Sequence, residues 1–248
     1  MVCLLLDSGI DANATDDSGS TAVHMLAKSN FPELVQLLVA RHDVEPNAVD
    51  NGGRTPLGWA SAEGYISVVR TLLQHSGVSL NAQGHGEYTP LWLACRAGRV
   101  HIVEILLQQN GVDVNQECGA GISPLHVSIT EGHTNVVELL LAQGDRVDVN
   151  GRTLEQRLTP LMLAASGGDK DIVRYLLQHP SINVNAIDDS RRTALFWAAS
   201  GGHHDAVRLL LGHPALNTRR WKDNQGHTAY AMAKKKGHAS VMLLLRAP

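Results

Sequence analysis

Aromatic residues are scarce in this chain: four Trp, four Tyr and two Phe among 248 residues. A core with so few rings must be built from Leu, Val, Ile and Ala, which favours close helix packing over a thick aromatic sandwich. Cysteine is scarcer still. Cys3, Cys95 and Cys118 are odd in number and share no metal-ligand spacing, which argues against a disulfide scaffold and against a structural zinc site. That usage fits a reducing compartment, cytoplasmic or nuclear. No apolar run nears the roughly 18 residues of a membrane span, and residues 1–10 lack the basic start of a secretory signal. Neither sign of charge dominates: the net charge is −3, with 18% charged and 44% hydrophobic residues. That is the balance of a folded chain rather than a disordered one. At about 100–200 residues per domain, the length allows one or two domains.

What the chain has instead is a repeated phrase. It starts at Thr21, Thr55, Thr89, Ser123, Thr159, Thr193 and Thr228, with gaps of 34, 34, 34, 36, 34 and 35 residues. The opening Thr or Ser suits a helix N-cap, its hydroxyl accepting from an orphan backbone N–H. Pro56, Pro90, Pro124 and Pro160 follow at the first helical position, where no N–H partner exists. Five places after the cap the residue is small, as at Ala60, Ala94, Ser128, Ala164, Ala198 and Ala233, which lets neighbouring helices approach. Nine places after the cap comes Gly64, Gly98, Gly132, Gly168, Gly202 or Gly237, or in one case Asn30. Glycine there ends a short helix in a left-handed conformation, and Asn is the next most tolerant residue. A second helix follows with two apolar residues, a polar one and an apolar run, as in Val68-Val69-Arg70 before Leu72-Leu73. A loop then reaches an Asn (Asn13, Asn47, Asn81, Asn115, Asn150, Asn185) and an acidic, Gly-containing turn such as Asp16–Gly19, which reads as the tip of a protruding β-hairpin.

The phrase resembles the ankyrin repeat. Ser123-Pro124-Leu125-His126 with Gly132-His133, and Gly111-Val112-Asp113-Val114-Asn115, match the family pattern nearly whole. The resemblance covers essentially the entire chain. It implies an all-α solenoid of stacked helix-turn-helix units with β-hairpin fingers. The period slightly exceeds the family's usual 33, as in ankyrin arrays appended to large multidomain proteins. The expected organisation is a single array over 1–248. It comprises a partial repeat at 1–13, repeats with caps at 21, 55, 89, 123, 159 and 193, and a capping repeat near 223–248. Val2, Leu4, Leu5 and Leu6 match a second helix without a first. That implies a chain open at its N-terminal end or continued from a longer one.

Thirteen histidines invite a catalytic or metal reading, but the repeat absorbs most of them. His24 and His126 stand at the family's first-helix position, and His133, His203 and His238 follow the helix-ending glycine. His75, His179 and His213 recur at the end of the second helix, where a cation suits the helix dipole. His203-His204 has no partner at zinc-ligand spacing. Phosphate-binding GxxxxGK[ST], nucleophile-elbow GxSxG and metalloprotease HExxH patterns are absent. The expectation is no catalysis, no cofactor and no metal.

Charge is distributed unevenly. Residues 1–124 hold 6 Lys and Arg against 13 Asp and Glu, a net of −7; residues 125–248 hold 15 against 11, a net of +4. Acidic tips come early (Asp16, Asp17, Asp50) and basic tips late (Arg157, Arg191, Arg192, Arg219, Arg220, Lys222). Such a gradient steers and orients a polar partner, or it is simply drift among solvated residues. A net of +4 is too weak for a nucleic-acid face, and nothing marks a membrane surface.

In the family, the first-helix face and the finger tips line a concave groove. Four residues after each cap, that face reads Met25, Trp59, Leu93, Val127, Leu163, Trp197 and Met232. Trp59 and Trp197 are candidate anchors for a protein or peptide partner, or they fill space between repeats. Tyr88, Arg54, Glu63, Arg96, His85, Arg157, Arg191 and Arg192 complete the candidate surface. Trp92 and Phe196, in the family's histidine position, read as packing residues. Two competing classes stay open. One is an enzyme or small-molecule binder with a pocket between fingers and inner helices. The other is a self-associating structural element.

Overall fold

The computed structural model describes residues 11–84 and 86–246. The half repeat read at the N-terminus therefore lies almost wholly outside the described residues, as does His85. Among the described residues there are fourteen α-helices, in pairs. No helix among them is long and apolar enough to cross a membrane.

The chain divides into two compact units, Met1–Gly119 and Ala120–Pro248. The first holds three helix pairs: α1 (Ala22–Lys28) with α2 (Pro32–Val39), α3 (Pro56–Glu63) with α4 (Ile66–Leu73), and α5 (Pro90–Arg96) with α6 (Val100–Leu107). The second holds four: α7 (Pro124–Thr130) with α8 (Thr134–Leu141), α9 (Pro160–Gly167) with α10 (Lys170–Gln178), α11 (Ala194–Gly201) with α12 (His204–Leu211), and α13 (Ala229–Lys236) with α14 (Ala239–Arg246). Within each unit, first helices stack on first helices and second helices on second helices. This is the all-α ankyrin solenoid architecture that the repeated phrase predicts.

The local causes are visible at each cap. The hydroxyls of Thr55, Thr89, Thr159, Thr193 and Thr228 accept from the backbone N–H three residues on, at 3.0–3.4 Å. The helix-ending glycines take positive φ, and Asn30 does the same at 58°. At Gly202 the backbone also meets a neighbour: an added Cβ would lie 2.6 Å from the His238 ring of the next repeat. His203 and His238 cross to the preceding layer and pair with the carbonyls of Ser166 and Ser200 at 2.8 and 3.1 Å. Arg99 makes the same crossing to the Ala62 carbonyl at 2.8 Å. The second helices bury Val68, Val69 and Leu72, then Ile102, Val103 and Leu106, then Val136, Val137 and Leu140, while Arg70 and Glu138 face solvent.

The repeated Asn is a clamp rather than a turn former. Asn47 donates to the Gly77 carbonyl and accepts from the Ser79 N–H, both at 2.7 Å. Asn13, Asn81, Asn150 and Asn185 each tie the following layer in the same way. Arg219 follows at the next such position and donates to the Leu244 carbonyl of α14 at 3.1 Å.

Candidate functional site

Among the described residues the fingers are tight turns, and Lys222 and Thr228 form an antiparallel bridge in the last. Four are built on an aspartate five residues before the cap: Asp16, Asp50, Asp188 and Asp223. In each, one carboxylate oxygen accepts from the N–H groups two and four residues on, at 2.8–3.0 Å. The acidity of these tips is therefore partly internal. Asp50 and Asp188 are 2% and 4% exposed, so Asp50 is not the displayed charge that the early acidic tips imply. Burial pushes the Asp50 carboxyl up, but the Arg54 N–H, the Trp59 indole and the Arg54 guanidinium outweigh it and hold it below its ordinary value.

Two of these aspartates carry the candidate anchors. The Trp59 indole N–H donates to the second Asp50 oxygen at 2.6 Å. The Arg54 guanidinium lies 3.6 Å from the centre of the Trp59 ring and 3.4 Å from the same oxygen. Lys28 Nζ approaches that ring to 4.0 Å. The arrangement recurs 138 residues later: Trp197 donates to Asp188 at 3.2 Å, and Arg192 binds the same oxygen at 2.8 Å while lying 4.1 Å from the ring centre. In the first triad the carboxylate favours the indole, and in the second it favours the guanidinium. Both rings are half-buried. They are fixed in place, yet keep a surface for a partner.

The remaining candidate residues divide. Tyr88, in the position of Arg54, lies against Trp92 with ring centres 4.5 Å apart. Arg96 is exposed, 5.8 Å from the same ring. Trp92 and Phe196 are buried, as packing residues should be. Glu63 is exposed at the end of α3. The groove face is not uniformly open: Leu93 and Val127 are buried, while Met25 is exposed. Arg157 and Arg191 stand exposed on their fingers with φ of 53° and 60°, where Gly19, Gly53, Gly121 and Gly226 supply the same turn elsewhere. Arg157 is 3.9 Å from Asp189, and Arg191 lies over the exposed Trp221 ring at 5.2 Å.

Histidine is structural here. The Nδ1 atoms of His75, His179 and His213 face the N–H two residues on at 3.2–3.3 Å. They act as acceptors in the post-helix turn, a role that the repeat position alone does not specify. His24 accepts from the Thr21 N–H at 3.2 Å and donates to the Arg54 carbonyl at 3.0 Å. His126 is held likewise between Ser123 and the Gly151 carbonyl. Burial lowers the pKa of both imidazoles and keeps them neutral. Among the described residues no group of three His, Cys, Asp or Glu could hold a metal ion.

Pockets open between fingers and first helices of the second unit. One, of about 350 Å³, has mixed polar and apolar walls that include Arg192, Trp197, Asp223, Met232 and Lys236. Another, of about 330 Å³, is mainly apolar and is walled by Ala120, Ile122, Leu158 and Leu163, with Thr153 and Glu155 at its finger side. Its finger is one residue longer than the others. Thr153 replaces the aspartate: its hydroxyl accepts from the Leu158 N–H at 3.0 Å. Composition reasoning missed this pocket. The signal was present in the residues before and four after the caps, which are Arg and Trp at Thr55 and Thr193 and Ile122, Val127, Leu158 and Leu163 here.

The family described as ankyrin repeats (3 copies) matches residues 1–84, 80–153 and 146–220. No curated protein matches the chain. Many solved structures do. One is the crystal structure of the ankyrin repeat domain of Bcl-3, described as a unique member of the IkappaB protein family. It is 27% identical over 93% of this chain and all of that one, with a TM-score of 0.81. A likeness shared by 613 chains carries a fold and does not by itself select a partner.

Proposed function

Because the chain belongs to the ankyrin repeat family, we propose that it is a non-catalytic module that binds a protein or peptide segment with its inner helices and finger tips. Ankyrin repeats serve generally as protein–protein interaction modules. The observation that carries the reading is the Asp–Arg–Trp triad, present twice at the same repeat position. A buried carboxylate orders a half-exposed indole and a guanidinium before any partner arrives. Trp and Arg are the residues that most often dominate binding energy, and a surface ordered in advance loses little entropy on association. The apolar pocket favours binding over chemistry. The only imidazole there, His126, has both nitrogens occupied by the scaffold.

The test is affinity capture with the chain and with its Trp59→Ala/Trp197→Ala variant, after circular dichroism has shown that the variant keeps its helices. Partners retained by the parent should be lost by the variant. Undiminished capture by a folded variant would refute the role of these rings. The excess of basic residues over 125–248 adds that association should slow as salt rises; a salt-independent on-rate would remove the steering component.

A further inference from the structure

Resting on that reading and narrowing it, we infer that the surface around the long finger takes a linear acidic peptide bearing one large apolar side chain. The side chain enters the pocket of Ile122, Leu158 and Leu163, and the peptide's carboxylates meet Arg157 and Arg191.

What distinguishes this pocket is its lining: Leu158 and Leu163 stand where Arg192 and Trp197 stand in the next repeat, whose own pocket of about 350 Å³ is rimmed by charged side chains. Where Arg192 and Trp197 stack, the finger-to-helix gap holds a guanidinium and an indole. Where Leu158 and Leu163 stand in their places, about 330 Å³ is left with mainly apolar walls. A volume of that size, at the lower end of ligand pockets, accommodates a large aliphatic or aromatic side chain. Glu155 at its finger side opposes a carboxylate in the pocket itself. The charge beyond is of the opposite sign. Arg157 and Arg191 are exposed on successive fingers, and Arg220 and Lys222 are exposed beside Trp221. Asp189 faces Arg157 only at 3.9 Å, with both side chains more than half exposed, so an incoming carboxylate competes easily. Leu154, 66% exposed, and Trp221, 40% exposed, leave apolar surface on the same fingers. Layers spaced about 10 Å apart and a peptide rising about 3.3 Å per residue put the acidic positions roughly three to six residues from the apolar one.

The probe is a phage-displayed library of random twelve-residue peptides, selected in parallel on the chain, on Leu163→Trp and on Arg157→Gly/Arg191→Gly. Leu163→Trp fills the pocket with a ring that other layers already accept. The double glycine removes charge while relieving positive φ, so both variants should remain folded; thermal melts check this. Peptides enriched on the parent should pair one large apolar residue with acidic residues at that spacing. Synthetic copies should bind each variant about tenfold or more weakly by fluorescence anisotropy. Enrichment of neutral or basic peptides, or equal binding to folded Leu163→Trp, would overturn the inference while leaving the broader reading intact. Synthetic copies that lose binding only to Trp59→Ala/Trp197→Ala would do the same. Sedimentation showing a dimer that Leu163→Trp dissolves would make a second copy the occupant, again against the inference. If the chain enriches nothing, both the inference and the peptide-binding reading fail together.

Discussion

The finger at Asp188–Arg192 and the finger at Thr153–Leu158 belong to adjacent repeats and solve one geometric problem in two ways. In the first, a buried carboxylate gathers two backbone N–H groups, an indole N–H and a guanidinium. In the second, a neutral hydroxyl accepts from one N–H, one extra residue lengthens the turn, and the pocket beneath has mainly apolar walls. The difference shows that the phrase beginning at the cap makes the layer, while the residues just outside it decide whether the space beside the finger is rimmed by charge or lined by apolar side chains.

The sharpest way to break this comparison is to remove the acceptor from each finger. Asp188→Ala strands a half-buried Arg192 and several donors together, and loss of one partner of a buried charged pair costs about 3–5 kcal/mol. Thr153→Ala removes one neutral hydrogen bond and should cost about 1 kcal/mol. Urea denaturation of the two variants measures both. Equal losses would mean that the carboxylate is not the organiser of the closed finger.

A second contrast concerns the rings. On the sequence alone, Trp59 and Trp197 could serve as partner anchors without structural cost. Their bonds to Asp50 and Asp188 change that expectation. Trp197→Ala should cost about 2 kcal/mol, roughly half the figure for a fully buried ring, and also weaken partner binding. Leu163→Ala, which enlarges an existing opening, should cost about 1 kcal/mol. Thermal melts and the binding assay, read side by side, separate the two contributions.

Much of the fold was legible because its causes are local. A cap hydroxyl, a proline and a left-handed glycine act within one turn, and Asn30 could be placed among the glycines on conformational grounds alone. The Asn clamps, the carboxylate turns and the apolar pocket were not legible in the same way. The clamps depend on atoms about 30 residues away, the pocket on the size of residues across a gap, and the turns on whether a carboxylate is buried among its donors. Aspartate recurring five places before the cap was the one available sign of the closed fingers. It was read as surface charge because a buried carboxylate and an exposed one look alike until their donors are known.

Acid should act on both kinds of layer in sequence. His24 and His126 have folded pKa values lowered by burial, so the unfolded chain takes up protons first. Their contribution is complete above about pH 6.5 and declines as pH falls through that value toward the folded pKa. The depressed Asp50 carboxyl acts lower: its contribution is present above about pH 3.9 and is lost as pH falls through its folded pKa. NMR titration should find His24 and His126 titrating below the exposed imidazoles. His24→Gln/His126→Gln should flatten the upper limb of the stability profile and leave the lower one, while Asp50→Asn should do the reverse.

The smallest expected effect has the opposite sign. Glycine occupies the left-handed finger position in four repeats, whereas Glu87, Arg157 and Arg191 adopt it with a side chain. A non-glycine residue there costs about 1–2 kcal/mol, and glycine returns part of that through its greater freedom when unfolded. Arg157→Gly should therefore stabilise the chain by about 0.5–1 kcal/mol. The ion pair it gives up, at 3.9 Å between exposed groups, contributes little. Arg191→Gly should gain less, because it also gives up the stack on Trp221, about 0.5 kcal/mol at an exposed site. If both gain stability and lose affinity for an acidic peptide, the strain at these fingers is maintained by binding rather than by folding. If both gain stability and bind unchanged, the two arginines are ordinary surface residues, and the contrast between the fingers concerns packing alone.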